Sequence, residues 1–400
     1  MKRMLLALAA LFGVAAMQAQ EPAVLQQLRK KYNHVGELSD GLHLIHRGSE
    51  KAHPRLGRYG TDEQFGYADS TGKVVIEPSW NYATDFDGGF AVVGRGKGDN
   101  RKFGVIDRTG REVVPCEWDD VSRPSDNRVL LQQGLGTDRL YGFADTTGLI
   151  VIPVRYGFAR PFSEGRAVVG EGAWVEKELA EEYKNSSLKY EFQGKFGFID
   201  THGNSVTEPV YEEAYSFRNG LAPVAKAGKY YLKWGYIDPT GAEKIPFDYY
   251  AADSFSEDGY ATVSRISGGA PKWGLIDSTG RIVIPIQYDR ISRFKEAVWV
   301  GTGDDPCAYM LMDLTGKPLM DRPVYDLNDS GRLGHCSAAL PDENGILRYG
   351  IIDSRGRIVL PFRFDRVTIF SEWNPATSEY EERGIADLDG ASYPFTLRKR

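Results

Sequence analysis

An all-β repeat array of about nine antiparallel units is the fold class this sequence predicts, and three recurring pieces predict it. The first is an aromatic residue, Gly, two apolar residues and Asp. Full copies begin at Phe65, Phe103, Tyr141, Phe196, Trp234, Trp273 and Tyr349. Residues 309–313 are a degenerate copy with Met310 at the Gly place, and residues 383–387 a shortened last one. The second piece is Asp-x-Thr-Gly, as in Asp107-Arg108-Thr109-Gly110 and Asp277-Ser278-Thr279-Gly280. The third is a β-branched run closed by Pro, as in Val74-Val75-Ile76-Glu77-Pro78 and Ile282-Val283-Ile284-Pro285. Successive copies start 38, 38, 55, 38, 39, 36, 40 and 34 residues apart, so the working unit is 38 residues.

The aromatic-Gly segment alternates as a strand does, its first and third residues large and its fourth, usually Ile, pointing the other way. In Asp-x-Thr-Gly, Asp accepts backbone N–H bonds and Gly takes a positive φ cheaply, which makes a hairpin turn. The β-branched run is a second strand, ended by Pro because Pro has no N–H to donate. An aromatic–acid stretch (Trp118-Asp119, Tyr288-Asp289, Phe364-Asp365) then leads to a Ser-acid-Gly turn such as Ser163-Glu164-Gly165. An Ala/Val strand, for example Ala91-Val92-Val93 or Ala167-Val168-Val169, completes the unit. Three clear strands and a weaker fourth thus make a small antiparallel sheet. Strands apolar on both faces need cover on both, so the sheets are expected to stack face to face. The Gly at position two leaves room for a neighbouring side chain or backbone.

The chain opens on the second half of a unit, residues 32–48, and closes on a first half, residues 383–397. One unit split between the ends would close a ring by strand exchange, as closed arrays do to remove their edges. A propeller-like closed ring is therefore favoured. Nine units exceed the usual roughly four to eight blades, and an open curved β-solenoid stack is the alternative. Residues 32–397 form a single domain, with an insertion at 171–193 inside the array.

These segments, in fixed order, resemble the WG repeat (KWG-like) family. The likeness covers nearly all of residues 32–397, and Trp234-Gly235 and Trp273-Gly274 carry the Trp-Gly pair itself. What the resemblance implies is an exported bacterial repeat protein with no general catalytic role.

Residues 1–19 read as a signal peptide: Lys2-Arg3, an apolar run at 4–16, then small residues offering cleavage after Ala16 or Ala19. The expected location is periplasmic, extracellular or cell-surface. Without Lys2 and Arg3 the 49 Lys+Arg become 47 against 55 Asp+Glu, a net charge of −8. That balance argues against a nucleic-acid partner. No later apolar run is long enough to span a bilayer. Three cysteines, Cys116, Cys307 and Cys336, cannot make a disulfide framework. Cys336 stands where other units place Ala, and reads as a small buried residue.

A residue present in every unit serves the unit. The repeated acids Asp69, Asp107, Asp145, Asp200, Asp238, Asp277, Asp313 and Asp353 are therefore read as turn residues. His34, His43, His46 and His53 lie close in sequence, but His43 and His46 fall on opposite faces of a strand, and zinc needs three or four convergent ligands. No catalytic residue, metal or cofactor is expected, and no nucleophile elbow, phosphate-binding loop or zinc-binding helix motif occurs. Glu181-Glu182 and Glu381-Glu382 read as solvated surface.

Breaks in the repeat are the better candidates. The insertion, in which residues 175–183 could form a short helix, and the lengthened loop of the next unit carry Trp174, Tyr183, Tyr190, Tyr230, Tyr231 and Lys233. Aromatic residues with polar neighbours in exposed loops are the usual material of protein or glycan contact. A second break, around Met310 and Met312, reads as local repacking, because Met fills irregular gaps. The expected function is an exported, monomeric, non-enzymatic scaffold binding a protein or surface glycan at the cell envelope. The alternatives are a propeller-type polysaccharide hydrolase or lyase, and a purely structural envelope protein.

Overall fold

A computed structural model describes residues 23–48, 63–178, 189–303, 307–328, 333–374 and 379–397. Apart from one short helix, α1 (Ala23–Arg29), and a 3-10 turn at Gly98–Asn100, the regular elements described are strands, arranged in nine small antiparallel sheets. The third sheet shows the regular pattern. A two-residue strand (Asp120–Val121) is followed by the Ala/Val strand (Arg128–Gln133), the aromatic-Gly strand (Leu140–Asp145) and the β-branched strand (Ile150–Tyr156), paired in that order. The weak fourth strand expected from the sequence is the two-residue one, and the sheet ends on Tyr156, the aromatic of its unit. In the second sheet (residues 82–118) the strand likewise ends on Trp118, and Asp119 belongs to the link into the third.

The first sheet completes itself from residues 34–80, and the last, residues 366–397, is a three-stranded sheet of its own. Among the described residues no ladder joins the two ends, so the strand exchange expected between 32–48 and 383–397 is not made. The first sheet has four strands of its own, and helix α1 lies on a face of it, not along an edge. Its Leu28, with Tyr32, packs on Val35, Ile45 and Ala68 and covers one face of that sheet. At the other end Phe370 and Ile385, on the face of the last sheet opposite Ile369 and Ala386, are 43% and 41% exposed.

Proline does not end the β-branched strand. Pro78 lies inside Val74–Trp80, and the register runs from Phe65↔Trp80 to Tyr67↔Ile76, so four steps on this strand oppose two on its partner. The strand is an edge strand and bulges, which is where Pro is tolerated. The bulge brings its backbone onto the glycine of the motif. A Cβ on Gly142 would lie 2.7 Å from the Ile152 carbonyl oxygen, and one on Gly197 2.6 Å from that of Thr207. Glycine is thus required by an approach within its own sheet. The seventh sheet (residues 290–313) has only three strands, with single bridges from Val324 to Tyr309 and from Pro318 to Met312. With no regular bulge pressed onto it, that position holds Met310.

Successive sheets bury both faces as expected. Tyr141, Phe143, Ile152 and Tyr156 of the third sheet pack against Ala159, Phe162, Ala167 and Val169 of the fourth. On the other face of the fourth, Val168, Phe196 and Phe198 meet Phe217, Ala222 and Val224 of the fifth. Several Ser-acid-Gly segments do more than turn the chain: they tie one sheet to the next. Ser125 Oγ donates to the Phe162 carbonyl at 2.6 Å while the Gly165 N–H donates to the Asp126 carboxylate at 2.8 Å. One unit later Ser163 Oγ donates to the Phe217 carbonyl at 2.7 Å, and the Asn219 and Gly220 N–H groups donate to the Glu164 carboxylate at 2.6 and 2.8 Å.

Gly197→Ala is expected to cost about 2–3 kcal/mol in denaturant unfolding, the range for forcing an extra carbon into a closed contact. A loss too small to measure would contradict the approach described for that glycine.

Candidate functional site

The insertion is a hairpin ribbon. Strands Arg166–Glu176 and Tyr190–Asp200 pair without interruption from Arg166↔Asp200 to Glu176↔Tyr190, carrying the fourth sheet's hairpin outward. The helix expected over 175–183 is not formed at Val175 and Glu176, which are strand; residues 179–188, with Tyr183, Glu181 and Glu182, lie outside the described residues. Cross-strand aromatic pairing favours the ribbon. Trp174 and Phe192 face each other at 5.7 Å and join Phe158 and Phe196 in one aromatic cluster.

Two of the expected contact residues are used inside the protein. Trp174 Nε1 donates to the Gly157 carbonyl at 2.6 Å. The Arg139 guanidinium, from the preceding sheet, lies 4.6 Å from the Trp174 ring centre and 5.0 Å from that of Tyr190. These cation–π contacts fasten the ribbon to the array, so Trp174 and Tyr190 have a role inside the protein beside the partner contact expected of them.

The lengthened loop is different. It joins strands Ala222–Lys226 and Lys233–Ile237 of the fifth sheet. Tyr230 is 82% exposed, with Lys229 Nζ 4.9 Å above its ring. Tyr231 has Lys233 Nζ 5.4 Å away and meets Tyr250 of the sixth sheet edge-on at 5.2 Å. Tyr215 lies 5.7 Å from Trp234 and 5.0 Å from the Arg160 guanidinium. Tyr215, Tyr231 and Tyr250 are all more than a third exposed. Tyr230, Tyr231 and Tyr250 with Lys229 and Lys233 thus gather at the border of the fifth and sixth sheets, while Tyr215 lies towards the fourth. Sequence reasoning missed Tyr215 and Tyr250. The signal was available: Tyr215 stands where other units have Thr84, Ser122, Asp253 or Ser292, and Tyr250 where they have Asp119, Asp289 or Asp365.

The profile of the WG containing repeat matches residues 65–97, 103–134, 141–172, 196–230, 234–265, 273–298 and 349–372, more than half of the chain. The chain belongs to the WG-containing repeat family. No curated protein matches this WG-repeat sequence. Among solved structures, a eukaryotic initiation factor is similar at a TM-score of 0.44 and 10% identity, covering 92% of this chain and 91% of that one. A prolyl endopeptidase is similar at 0.36 and 11%, covering 93% and 57%. Oligopeptidase B from Leishmania major is similar at 0.34 and 6%, covering 76% and 52%. At these scores the likenesses carry no argument about the WG-repeat protein.

The remaining titratable groups serve the fold. Asp69 Oδ1 accepts the Thr71 N–H at 2.9 Å, the Thr71 hydroxyl at 2.6 Å and the Lys73 N–H at 3.1 Å. The same cage surrounds Asp277, whose carboxyl is held down to about 2, chiefly by the Thr279 hydroxyl. His46 is buried beside the Glu63 carboxylate and stacks on Phe65 at 4.5 Å. His43 Nδ1 lies 3.0 Å from the Gly36 carbonyl oxygen. His53 is outside the described residues, among which no group of three or more His, Cys, Asp or Glu side chains could hold a metal. Burial pushes the Cys116 thiol up to about 12, and Cys307 and Cys336 are buried thiols outside any disulfide. Glu382 is not solvated surface. It is fully buried in the last sheet, accepting from the Leu333 N–H and lying 2.6 Å from His335 Nδ1, which joins the last sheet to the eighth.

Two outcomes follow from these contacts. Trp174→Ala should destabilise the protein by about 2 kcal/mol through the lost ring packing, measured by denaturant unfolding; an unchanged midpoint would contradict its part in holding the ribbon. The turn carboxyls Asp69, Asp145, Asp238, Asp277 and Asp313, lowered first by their Thr hydroxyls, bind protons less readily folded than unfolded. Their stabilising contribution is complete above the ordinary value of 3.8 and is lost as the pH falls toward about 2. Thermal melting should therefore drop over that window, and less steeply in Asp277→Asn.

Proposed function

We propose that this WG-repeat protein is an exported, non-enzymatic scaffold that binds a protein or a surface glycan at the cell envelope. The binding surface is the Tyr–Lys group at the border of the fifth and sixth sheets. One observation carries the reading: Tyr230 presents a ring that is 82% exposed, capped by a lysine, in a loop where the repeat is broken. A tyrosine with two side-chain torsions brings a large amphipathic contact area at low entropic cost. Lys226, Lys229 and Lys233 make the same loop locally basic on an acidic chain. The export part rests on residues 1–19 of the sequence. The absence of a repeat-independent acid–base pair from this surface supports binding over catalysis.

The test compares the intact chain with a Tyr230→Ala, Tyr231→Ala, Lys233→Ala triple variant for capture of partners from envelope-protein and glycan extracts. These loop residues take no part in the sheet cores, so folding should be unchanged by circular dichroism. Capture should fall by about tenfold or more, as for loss of interface anchors. Equal capture by both proteins would overturn the assignment of this surface.

A further inference from the structure

The seventh unit leaves a recess. In the seven full copies the first aromatic of the motif pairs across the ladder with another ring, for example Tyr141 with Tyr156, Trp234 with Tyr249 and Trp273 with Tyr288. Tyr309 has no such partner, because the β-branched strand is missing from its sheet and Val324 stands opposite it. Beside it opens a recess of about 490 Å3, between the sixth, seventh and eighth sheets. That is within the ordinary size of small-molecule sites. Trp273 and Tyr309 line it with ring surface, and Asp253, Asp289, Arg290 and Ser292 line it with polar groups. Trp299, almost fully buried, forms part of the wall; it takes a place that Val92, Val168 and Thr262 fill in other units.

The chemistry of this lining is specific. Asp289 is held in place by the Lys272 ammonium and by the Gly303 N–H at 3.0 Å. Asp253 accepts the Thr262 hydroxyl. The two carboxylates are offset by Lys272 and Arg290, so the recess has no net demand for a charged ligand. Carboxylates supply acceptors and the Arg290 guanidinium, which also reaches the Tyr309 hydroxyl at 3.4 Å, supplies donors, and the rings supply flat apolar surface. A ring that is apolar on one face and edged with hydroxyls satisfies both. We propose that this recess binds one ring of a neutral sugar, at a site that uses none of the Tyr–Lys residues assigned above.

Saturation-transfer NMR on the full chain with millimolar glucose, galactose and N-acetylglucosamine tests it. At least one sugar should show transfer and should quench tryptophan fluorescence. Ser292→Trp, which fills the recess from an exposed position, and Trp273→Leu should each weaken that binding by about tenfold or more, with unchanged circular dichroism. Arg290→Gln, which keeps the surface, should weaken it too. Tyr230→Ala should leave it unaltered, which separates this site from the Tyr–Lys surface. No transfer from any of the three sugars, or binding that survives Ser292→Trp and Arg290→Gln, would overturn the proposal.

Discussion

Each sheet of this chain is apolar on both faces and has only three or four short strands, so it is held by the sheets that cover it. Isolated sheets of this size are marginal in water, and stacking converts them into one continuous core, as in other repeat proteins. The rest of the structure answers to this. Ser-acid-Gly links tie the third sheet to the fourth and the fourth to the fifth. Helix α1 covers the face of the first sheet that has no sheet before it.

The same constraint decides where the repeat can vary. The insertion lengthens a hairpin outward, leaving Val168, Phe196 and Phe198 in their ordinary places in the shared core. The 227–232 loop does likewise in the fifth sheet. The seventh unit varies inside the stack, and there the change is matched across the interface. Trp299 packs in one cluster with Ala338 of the eighth sheet, which stands where other units have Val93, Val169 or Val263. A smaller residue opposite a larger one keeps the packed volume near that of the other interfaces, which is why a tryptophan can stand there. On the same face of the seventh sheet, the missing β-branched strand leaves the recess beside Tyr309.

The candidate surface was legible only in part. Tyr230 and Tyr231 were readable as loop aromatics and are exposed. Trp174 and Tyr190 looked identical to them in composition. What distinguishes them is Arg139, which comes from the previous unit and inserts between their rings. Glu382 misled for the same reason: its partners Leu333 and His335 belong to the eighth sheet, far from it in the chain. Tyr215 and Tyr250 could have been found by lining the units up and asking where an aromatic replaces a small or acidic residue.

The sequence by itself determined the strands, their order and the turns. Period-two alternation, Asp-x-Thr-Gly chemistry and the ninefold recurrence all act over a few residues, and local forces suffice to read them. It also determined that both faces would be covered. Only the tertiary structure decided what each recurring residue is for. The motif's glycine accommodates a bulge of the strand beside it, the Ser-acid pair ties one sheet to the next, and α1 covers a face of the first sheet. Those roles depend on which backbone arrives opposite which residue. That is a property of register and stacking, and composition alone does not encode it.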